Sequence, residues 1–190
     1  IILLGIILVV FFQSFESFSR YGLKFLITSE WNPVKDEYGA FSAIYGTLIT
    51  SFLSLLITIP LGVGTAIFIT EDFVPKVVRE IIGSFVELLA AIPSVVLGLW
   101  AIFVMEPFFR TFFVFLHNFF GWIPLFSTEP TGRNSLLAIL ILVVMLLPIV
   151  TSIARDSLNQ VPKKLRNAAY GIGASRWKTI FSVILPAALS

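Results

Sequence analysis

Long uncharged segments dominate the chain. The longest runs from Phe41 to Thr70 without one charged side chain, and Ser135–Ala154 form a second run of this kind. Ile81–Met105 contain a single charge, Glu87. A helix needs about 20 mostly apolar residues to cross the hydrocarbon core of a bilayer. Residues 41–70, 81–105 and 135–154 are therefore each predicted to span a membrane.

Two shorter apolar runs lie at the ends of the chain, at residues 1–12 and 179–190. We interpret both as partial spans and expect the chain to be truncated at both ends. A signal peptide is the alternative for residues 1–12, but the run shows no basic stretch and no small-residue cleavage site. The predicted fold class is an all-α, polytopic transmembrane helical bundle that forms a single domain over residues 1–190.

Composition supports a membrane location. Hydrophobic residues make up 57% of the chain and charged residues 13%, whereas soluble domains carry roughly 25% charged residues. So few polar side chains do not cover a soluble globule, and so much apolar content excludes disorder. The net charge of +2 without a dense basic patch gives no case for nucleic-acid binding. The absence of cysteine excludes disulfides and thiolate metal sites.

The Lys and Arg residues are unevenly shared among the loops. Residues 71–80 and 155–178, the latter named the basic loop here, lie on one side of the predicted bundle and hold eight of the 13 cations. These eight are Lys76, Arg79, Arg155, Lys163, Lys164, Arg166, Arg176 and Lys178. Residues 13–40 and 106–134 are longer and hold the other five. The positive-inside rule places the first pair of loops, and the amino terminus, in the cytoplasm.

Residues 106–126 are rich in phenylalanine and have one narrow polar side. That side consists of Arg110, Val114, His117, Asn118 and Gly121. The pattern predicts either a helix lying in the membrane interface or a short re-entrant span. His117 is the only histidine and has no carboxylate at ligand spacing, so we interpret it as a polar anchor. No metal site and no catalytic residue is predicted.

Small and hydroxyl-bearing residues recur at helical spacing in two predicted spans. Such faces pack membrane helices closely, and they also line polar paths; the two interpretations are compatible. The face in residues 41–70 consists of Thr47, Ser51, Ser54, Thr58, Gly62 and Thr65. The face in residues 81–105 consists of Ser84, Glu87, Ala91, Ser94 and Gly98.

Glu87 is the one ionisable residue deep in a predicted span. An intramembrane carboxylate is costly, so it faces a cavity or a partner, or it snorkels to the interface. Because Glu87 would repel an anionic substrate, we hypothesise a gating or structural role. Pro60 and Pro93 each remove a backbone donor and favour a kink. The candidate path or gate residues are Thr47, Ser51, Ser54, Glu87, Pro93 and Ser94.

The basic loop shows a helix–turn–helix pattern. Pro162 suits a helix start, and Lys163–Tyr170 predict a short, basic, solvent-facing helix. Gly171 and Gly173 then permit a sharp turn before a second helix enters the membrane through Trp177. A charged helix–turn–helix that protrudes from an apolar bundle indicates a docking element for a soluble partner.

This region resembles the EAA loop of binding-protein-dependent ABC importer permeases. Asn167-Ala168-Ala169, Gly173 and Leu185-Pro186 fall at the family's spacing, although Asn167 replaces the usual Glu and Val183 replaces the usual Ile. In that family the loop forms coupling helices that seat in a groove of the ATPase subunit. The resemblance therefore implies a coupling role for Asn167, Ala168, Ala169, Gly171, Gly173, Leu185 and Pro186.

Two further stretches narrow the resemblance to the PstC-type permeases of phosphate-specific ABC transporters. Glu30-Trp-Asn-Pro-Val, Tyr38-Gly-Ala and Ala43-Ile-Tyr-Gly-Thr-Leu resemble their outer loop and second span. The stretch from Glu87 to Trp100 resembles their third span. The resemblance implies a type I ABC importer permease fold in a bacterial or archaeal cell membrane.

The same resemblance implies the partners and cofactors. These are a PstA-like second permease, a PstB-like ATPase dimer, an extracytoplasmic phosphate-binding protein and inorganic phosphate. No cofactor is expected in this chain, since ATP and Mg would bind the ATPase; the chain carries no GxxxxGK[ST] phosphate loop. Some residues that contact phosphate are expected beyond residue 190.

Two alternatives stay open at this point. A permease of the same architecture for another oxyanion, such as molybdate, fits the basic loop equally well. A passive channel or structural membrane protein fits the spans but gives the basic loop no role. An enzyme is not expected, because no nucleophile–base pair or metal constellation lies in or beside the spans.

Overall fold

A computed structural model describes the chain over residues 2–124, 126–127 and 134–189, the side chain of Glu16 excepted. Ile1, Ser190, Arg133 and one position of the predicted segment 106–126 lie outside the described residues. The chain divides into two compact units, Ile1–Ile49 and Thr50–Ser190.

The first unit contains two helices, a hairpin and the first turns of a long helix. Helix α1 spans Ile2–Tyr21, α2 spans Lys24–Ile27, β1 spans Trp31–Asn32 and β2 spans Glu37–Tyr38. The strands pair antiparallel with Trp31 opposite Tyr38, and the two rings meet edge-on with centroids 5.0 Å apart. An ion pair between Arg20 and Asp36 fastens the hairpin turn to the end of α1.

The second unit contains the other helices. Helix α3 spans Phe41–Thr70, beginning in the first unit, α4 spans Lys76–Ala91, α5 spans Ser94–Trp100, α6 spans Glu106–Phe120, α7 spans Ser135–Gln160, α8 spans Lys163–Gly171, α9 spans Arg176–Thr179 and α10 spans Leu185–Leu189. Two π-helical turns, Ala101–Met105 and Ile180–Ile184, join α5 to α6 and α9 to α10.

Four helical stretches are long and apolar enough to cross a membrane: α1, α3, Ser94–Phe120 and α7. Helix α3 has the bounds predicted for residues 41–70. Helix α7 begins at the predicted Ser135, where the Asn134 side chain accepts a hydrogen bond of 2.9 Å from the Leu137 amide, and it continues to Gln160. The predicted segment 179–190 is helical through Leu189.

The predicted span 81–105 is not one helix, and its break lies at Pro93, where a kink was predicted. Helix α4 ends at Ala91, and Ile92 is extended with ψ of 124°, because the ring of the following Pro93 excludes its neighbour from the helical region. A new helix starts at Ser94 and runs without a break to Phe120. The apolar character of the sequence is the same before and after this break, so the predicted third span included residues from both helices.

The separate helix predicted within residues 106–126 is also not found. Helix α6 continues from α5 through the π-helical turn, so its phenylalanines belong to a stretch long enough to cross a membrane. Pro107 lies near the start of α6, directly after this turn. Proline has no backbone N–H to donate. We attribute the presence of Pro107 in the helix to the preceding π-helical turn, which already displaces the regular helical hydrogen bonds, so that none is lost.

Pro60, the other proline for which a kink was predicted, does not end its helix. Helix α3 is assigned as a single helix through this proline. Membrane helices tolerate proline where neighbouring groups satisfy the freed carbonyl. Sequence alone therefore does not show which of the two prolines ends a helix, because the result depends on the hydrogen bonds available around each one.

Two buried apolar clusters hold the second unit together. One joins the end of α3, the end of α7 and the second π-helical turn through Ala66, Ile67, Leu158, Val161, Ile180 and Ile184. The other joins α5, α6 and α7 through Leu97, Ala101, Met105, Phe113, Leu137 and Ile141. The first cluster matters for function because it lies directly beside the basic loop.

Candidate functional site

The basic loop folds as the predicted helix, turn and helix. Pro162 precedes α8 with φ of −58°, a value that suits a helix start. Gly173 has φ of 81°, in the left-handed region, and its amide donates 2.9 Å to the Tyr170 carbonyl. The Ser175 side chain then accepts a hydrogen bond from the Lys178 amide and caps α9. Gly173 alone makes the turn that two glycines were expected to share.

The Asn-Ala-Ala motif is split between two faces of α8. Asn167 and Ala168 are exposed, whereas Ala169 is only 5% exposed. Consecutive residues on a helix point in different directions, so the motif exposes one alanine and packs the other inside. The predicted coupling residues therefore have two distinct roles in the fold.

Several large side chains of the basic loop are exposed beside Ala168. Ile172 is 87% exposed, and Leu165, Tyr170 and Trp177 also present much of their surface. Exposed apolar residues grouped at one place, with charged residues around them, are typical of an interaction surface. Lys163 and Lys164, both exposed, supply that charge.

The charged side chains of the basic loop after Asp156 all have one sign. Residues 157–189 contain no Asp or Glu, while the basic loop carries several cations after residue 160. These cations are Lys163, Lys164, Arg166, Arg176 and Lys178. A surface of a single sign favours a partner of the opposite charge.

One cation of the loop is neutralised inside the protein. Arg166 forms an ion pair with Glu71, the first residue after α3, and the two side chains are only 18% and 11% exposed. The Arg166 guanidinium also donates 2.9 Å to the Leu158 carbonyl near the end of α7. A single arginine therefore connects α8 to the ends of two long helices.

The segment after α3 meets the basic loop at two further places. Arg176 donates 2.8 Å to the backbone carbonyl of Asp72, and the Asp72 carboxylate lies 2.7 Å from Arg79 of α4. The Phe73 ring lies against Trp177, with centroids 5.1 Å apart. The two loops predicted to share one side thus pack against each other.

A cavity of about 410 Å³ lies between these two loops. Its lining combines cations, two carboxylates, amides and hydroxyls with a few apolar groups. The residues are Thr70, Glu71, Asp72, Phe73, Asn159, Val161, Lys163, Arg166, Asn167, Tyr170, Arg176 and Ile180.

The predicted hydroxyl face of α3 is mostly used for packing. Ser54 and Thr58 are fully buried, and their hydroxyls donate to carbonyls of their own helix at 2.9 and 2.7 Å. Thr47, in the first unit, does the same at 2.8 Å and is exposed, while Ser51 is half-buried. Hydroxyls that bond back to their own helix need no partner from a solute.

The predicted face of the third span lies mainly on α4 and is exposed. Glu87, Pro93 and Ser94 all belong to the exposed side, as do Ser84 and Ala91. The buried positions of α4 are instead Gly83 and Val86. Most of this face is therefore open to its surroundings; within it, Gly98 is partly buried and Glu87 contacts α7.

Glu87 has a partner that the sequence did not predict. Arg155, near the end of α7, lies 3.4 Å from its carboxylate. Gly83, one turn before Glu87, lies beside the same arginine, and a Cβ there would be at an ordinary contact distance of 3.7 Å from Arg155 Nη1. The side chains are 70% and 41% exposed, so the pair is open to its surroundings.

Leu185 and Pro186, from the end of the predicted motif, begin α10. Leu185 packs against the cluster that joins α3 and α7, and Pro186 is exposed. His117 hydrogen-bonds through Nδ1 to the Phe126 carbonyl at 2.7 Å, consistent with a polar anchor.

Comparison with known proteins agrees with this architecture. Residues 58–190 match the family described as binding-protein-dependent transport system inner membrane component. The phosphate transport system permease protein PstC of Mesorhizobium japonicum is 41% identical over 98% of this chain and 58% of its own length. The PstC of Pasteurella multocida is 42% identical over 92% of this chain and 56% of its own length.

A solved structure shares the fold. The MetNI methionine ABC transporter, in inward-facing conformations, matches 80% of this chain and 61% of its own chain with a TM-score of 0.56 and 22% identity. The predicted all-α polytopic permease fold and the resemblance to PstC-type permeases are confirmed. The chain spans a little over half the length of the curated relatives described here. It is a multi-pass membrane protein, and it belongs to the family of binding-protein-dependent transport system inner membrane components.

Proposed function

We propose that the chain is the transmembrane permease part of an ATP-driven importer of inorganic phosphate. The observation that carries the proposal is the exposed surface of α8, with Ala168 outward and Ala169 buried, on the end of an apolar bundle. Relatives named as phosphate transport system permeases support the substrate. The chain itself performs no ATP hydrolysis; ATP and Mg bind the partner ATPase.

The proposed partners follow from the same resemblance. A PstA-like permease completes the pathway, a PstB-like ATPase dimer docks on the basic loop, and a phosphate-binding protein delivers phosphate from the other side. The basic loop then lies in the cytoplasm, as the positive-inside rule favours, and the host membrane is a bacterial or archaeal cell membrane. Closure of the ATPase dimer would push α8, and the bundle would open alternately to each side.

Specificity for phosphate rests only partly on this chain. Phosphate recognition normally uses arginine, lysine or helix amino termini. The hydroxyls of Thr47, Ser51, Ser54 and Ser94 are the uncharged candidates here, and two of the four, those of Thr47 and Ser54, bond to their own helix. We therefore propose that the binding protein and residues beyond this chain supply much of the selectivity.

Uptake in cells tests the proposal. A strain that depends on the full-length gene should accumulate labelled phosphate, and a Walker-lysine variant of its ATPase should abolish this uptake. Labelled molybdate, offered at the same concentration, should not accumulate. Uptake of molybdate alone would indicate another oxyanion, and phosphate movement that survives the ATPase variant would indicate a passive channel.

A further inference from the structure

The strongest connection between the basic loop and the bundle is a partly buried ion pair. Glu71 is the first residue after α3, and Arg166 lies on α8, 95 positions later in the sequence. Neither side chain is more than one-fifth exposed. An arginine in such a place stabilises the fold only while its carboxylate partner is present, because a single buried charge is strongly unfavourable.

The pair does not act alone. Arg166 also bonds to the Leu158 carbonyl, and Arg176 bonds to the carbonyl of Asp72, directly after Glu71. Phe73 lies against Trp177. We name these five side chains and their bonds the clasp: Glu71, Phe73, Arg166, Arg176 and Trp177.

An apolar cluster beside the clasp joins α3 to the end of α7 and to the second π-helical turn. Ala66 and Ile67 of α3 pack with Leu158 and Ile180, and all four are less than one-tenth exposed. A packed apolar cluster resists shear, and an ion pair at its edge fixes the direction of approach. Helix α8 is therefore attached to the end of α3 by the ion pair, beside an apolar cluster that fixes α3 to α7 and to the second π-helical turn.

We propose that the pair of Glu71 and Arg166 is a positioning pair that makes the end of α3 follow α8 when the ATPase moves it. This proposal rests on the proposed function, and it adds the residues through which force from the ATPase reaches a membrane-spanning helix. Breaking the pair leaves the docking surface of Asn167 and Ala168 in place but loosens its connection to α3. The loss therefore falls on the amount of phosphate moved per ATP hydrolysed.

The experiment uses the complete transporter, with the full-length permease, its partner permease, ATPase and binding protein, in proteoliposomes. Glu71→Gln and Arg166→Gln are each expected to lower the ratio of phosphate taken up to ATP hydrolysed by about tenfold or more, and the exchange variant Glu71→Arg/Arg166→Glu to recover part of that loss. Lys76→Gln is the matched control, because it removes an ion pair from the same segment, with Glu80 at 3.5 Å, whose side chains are 81% and 64% exposed. It should leave the ratio unchanged.

Each result has one meaning for the clasp. The proposal is overturned if the single variants leave the ratio of phosphate to ATP unchanged. It is also overturned if the exchange variant recovers the thermal stability of the complex but not this ratio. If the single variants do not assemble, the exchange variant is compared directly with the wild type. A ratio of phosphate to ATP below one-tenth of the wild-type ratio then overturns the proposal. Absence of phosphate uptake by the wild-type complex would instead contradict the proposed function. In that case, the same ratio is measured for the oxyanion that the wild type does transport.

Discussion

Gly62 of α3 lies against Val150 of α7 so closely that a Cβ on the glycine would stand 2.7 Å from the valine Cγ1. The same Cβ would lie 3.4 Å from the backbone nitrogen of Thr151. A β-branched valine has little freedom to turn away. This glycine therefore sets the distance at which the two long helices cross, as small residues do in other membrane bundles.

Gly62→Ala should destabilise the protein. The added methyl group forces α3 and α7 apart, and overpacking of this kind costs about 1–3 kcal/mol. Gly64→Ala is the matched control, since nothing lies within 4 Å of its Cβ position in the same helix. Thermal unfolding of the full-length protein in detergent should show a lower midpoint for Gly62→Ala only; equal midpoints for the two variants would contradict the close crossing.

Ala168→Glu should prevent the ATPase from docking. Ala168 is exposed at the centre of the α8 surface, so a carboxylate there adds bulk and charge without disturbing the fold. Co-purification of the ATPase and phosphate uptake should each fall by about tenfold or more. Gln160→Glu adds the same charge at the exposed end of α7 and should alter neither. An Ala168→Glu complex that purifies and transports normally would refute the assignment of this surface.

Ala169→Leu should act differently from a change at its neighbour. Ala169 is 5% exposed, and a larger side chain must displace packed atoms. We expect a lower thermal midpoint for the permease alone, before any ATPase is added. If Ala169→Leu and Ala168→Leu unfold at the same temperature, the division of the motif into an outward and an inward alanine is wrong.

Some of this site could be predicted from sequence and some could not. The bounds of α3 follow from a charge-free run with polar residues at both ends, and the turn in the basic loop follows from its glycines. The pairing of Glu71 with Arg166 could not be predicted from a single sequence. The two residues lie 95 positions apart, and only the folded ends of α3 and α7 bring them together.

The errors in the third span have a common cause. Hydropathy measures how apolar a segment is, whereas Pro93 breaks the helix through local backbone geometry. The π-helical turn Ala101–Met105 then carries the helix past Glu106 and Pro107, beyond the predicted end of the third span at Met105. Arg155 was missed as a partner of Glu87 for a related reason, since α7 extends six residues past its predicted end at Ala154.

Gly173→Ala should strain the turn after α8. Its φ of 81° lies in the left-handed region, which costs a residue with a Cβ roughly 1–2 kcal/mol. Gly171→Ala, in ordinary helical backbone with nothing near its Cβ position, should be neutral or slightly stabilising. Thermal unfolding of both variants, with ATPase co-purification, tests this difference. A Gly173→Ala protein as stable as Gly171→Ala would show that the turn does not need glycine.

Association with the ATPase should weaken as salt is raised. The exposed Lys163 and Lys164 belong to a stretch without a nearby carboxylate in sequence, so they favour an acidic groove. The Debye length shrinks from about 10 Å at 0.1 M to about 3 Å at 1 M salt, which screens such attraction. Lys163→Gln/Lys164→Gln should bind more weakly at low salt and show a flatter salt dependence. Binding that is equally salt-sensitive in both proteins would place the electrostatic contact elsewhere.

Glu87→Gln should reduce transport without unfolding the protein. Its ion pair with Arg155 is 3.4 Å long and largely exposed, and exposed pairs contribute about 0–1 kcal/mol to stability. The charge lies on an exposed side of α4, so its hypothesised gating role belongs to the assembled transporter. Uptake by the complete transporter should fall while the thermal midpoint of the permease changes little. Glu80→Gln, on the same helix, serves as the control, and a Glu87→Gln transporter as active as this control would exclude a gating role for the carboxylate.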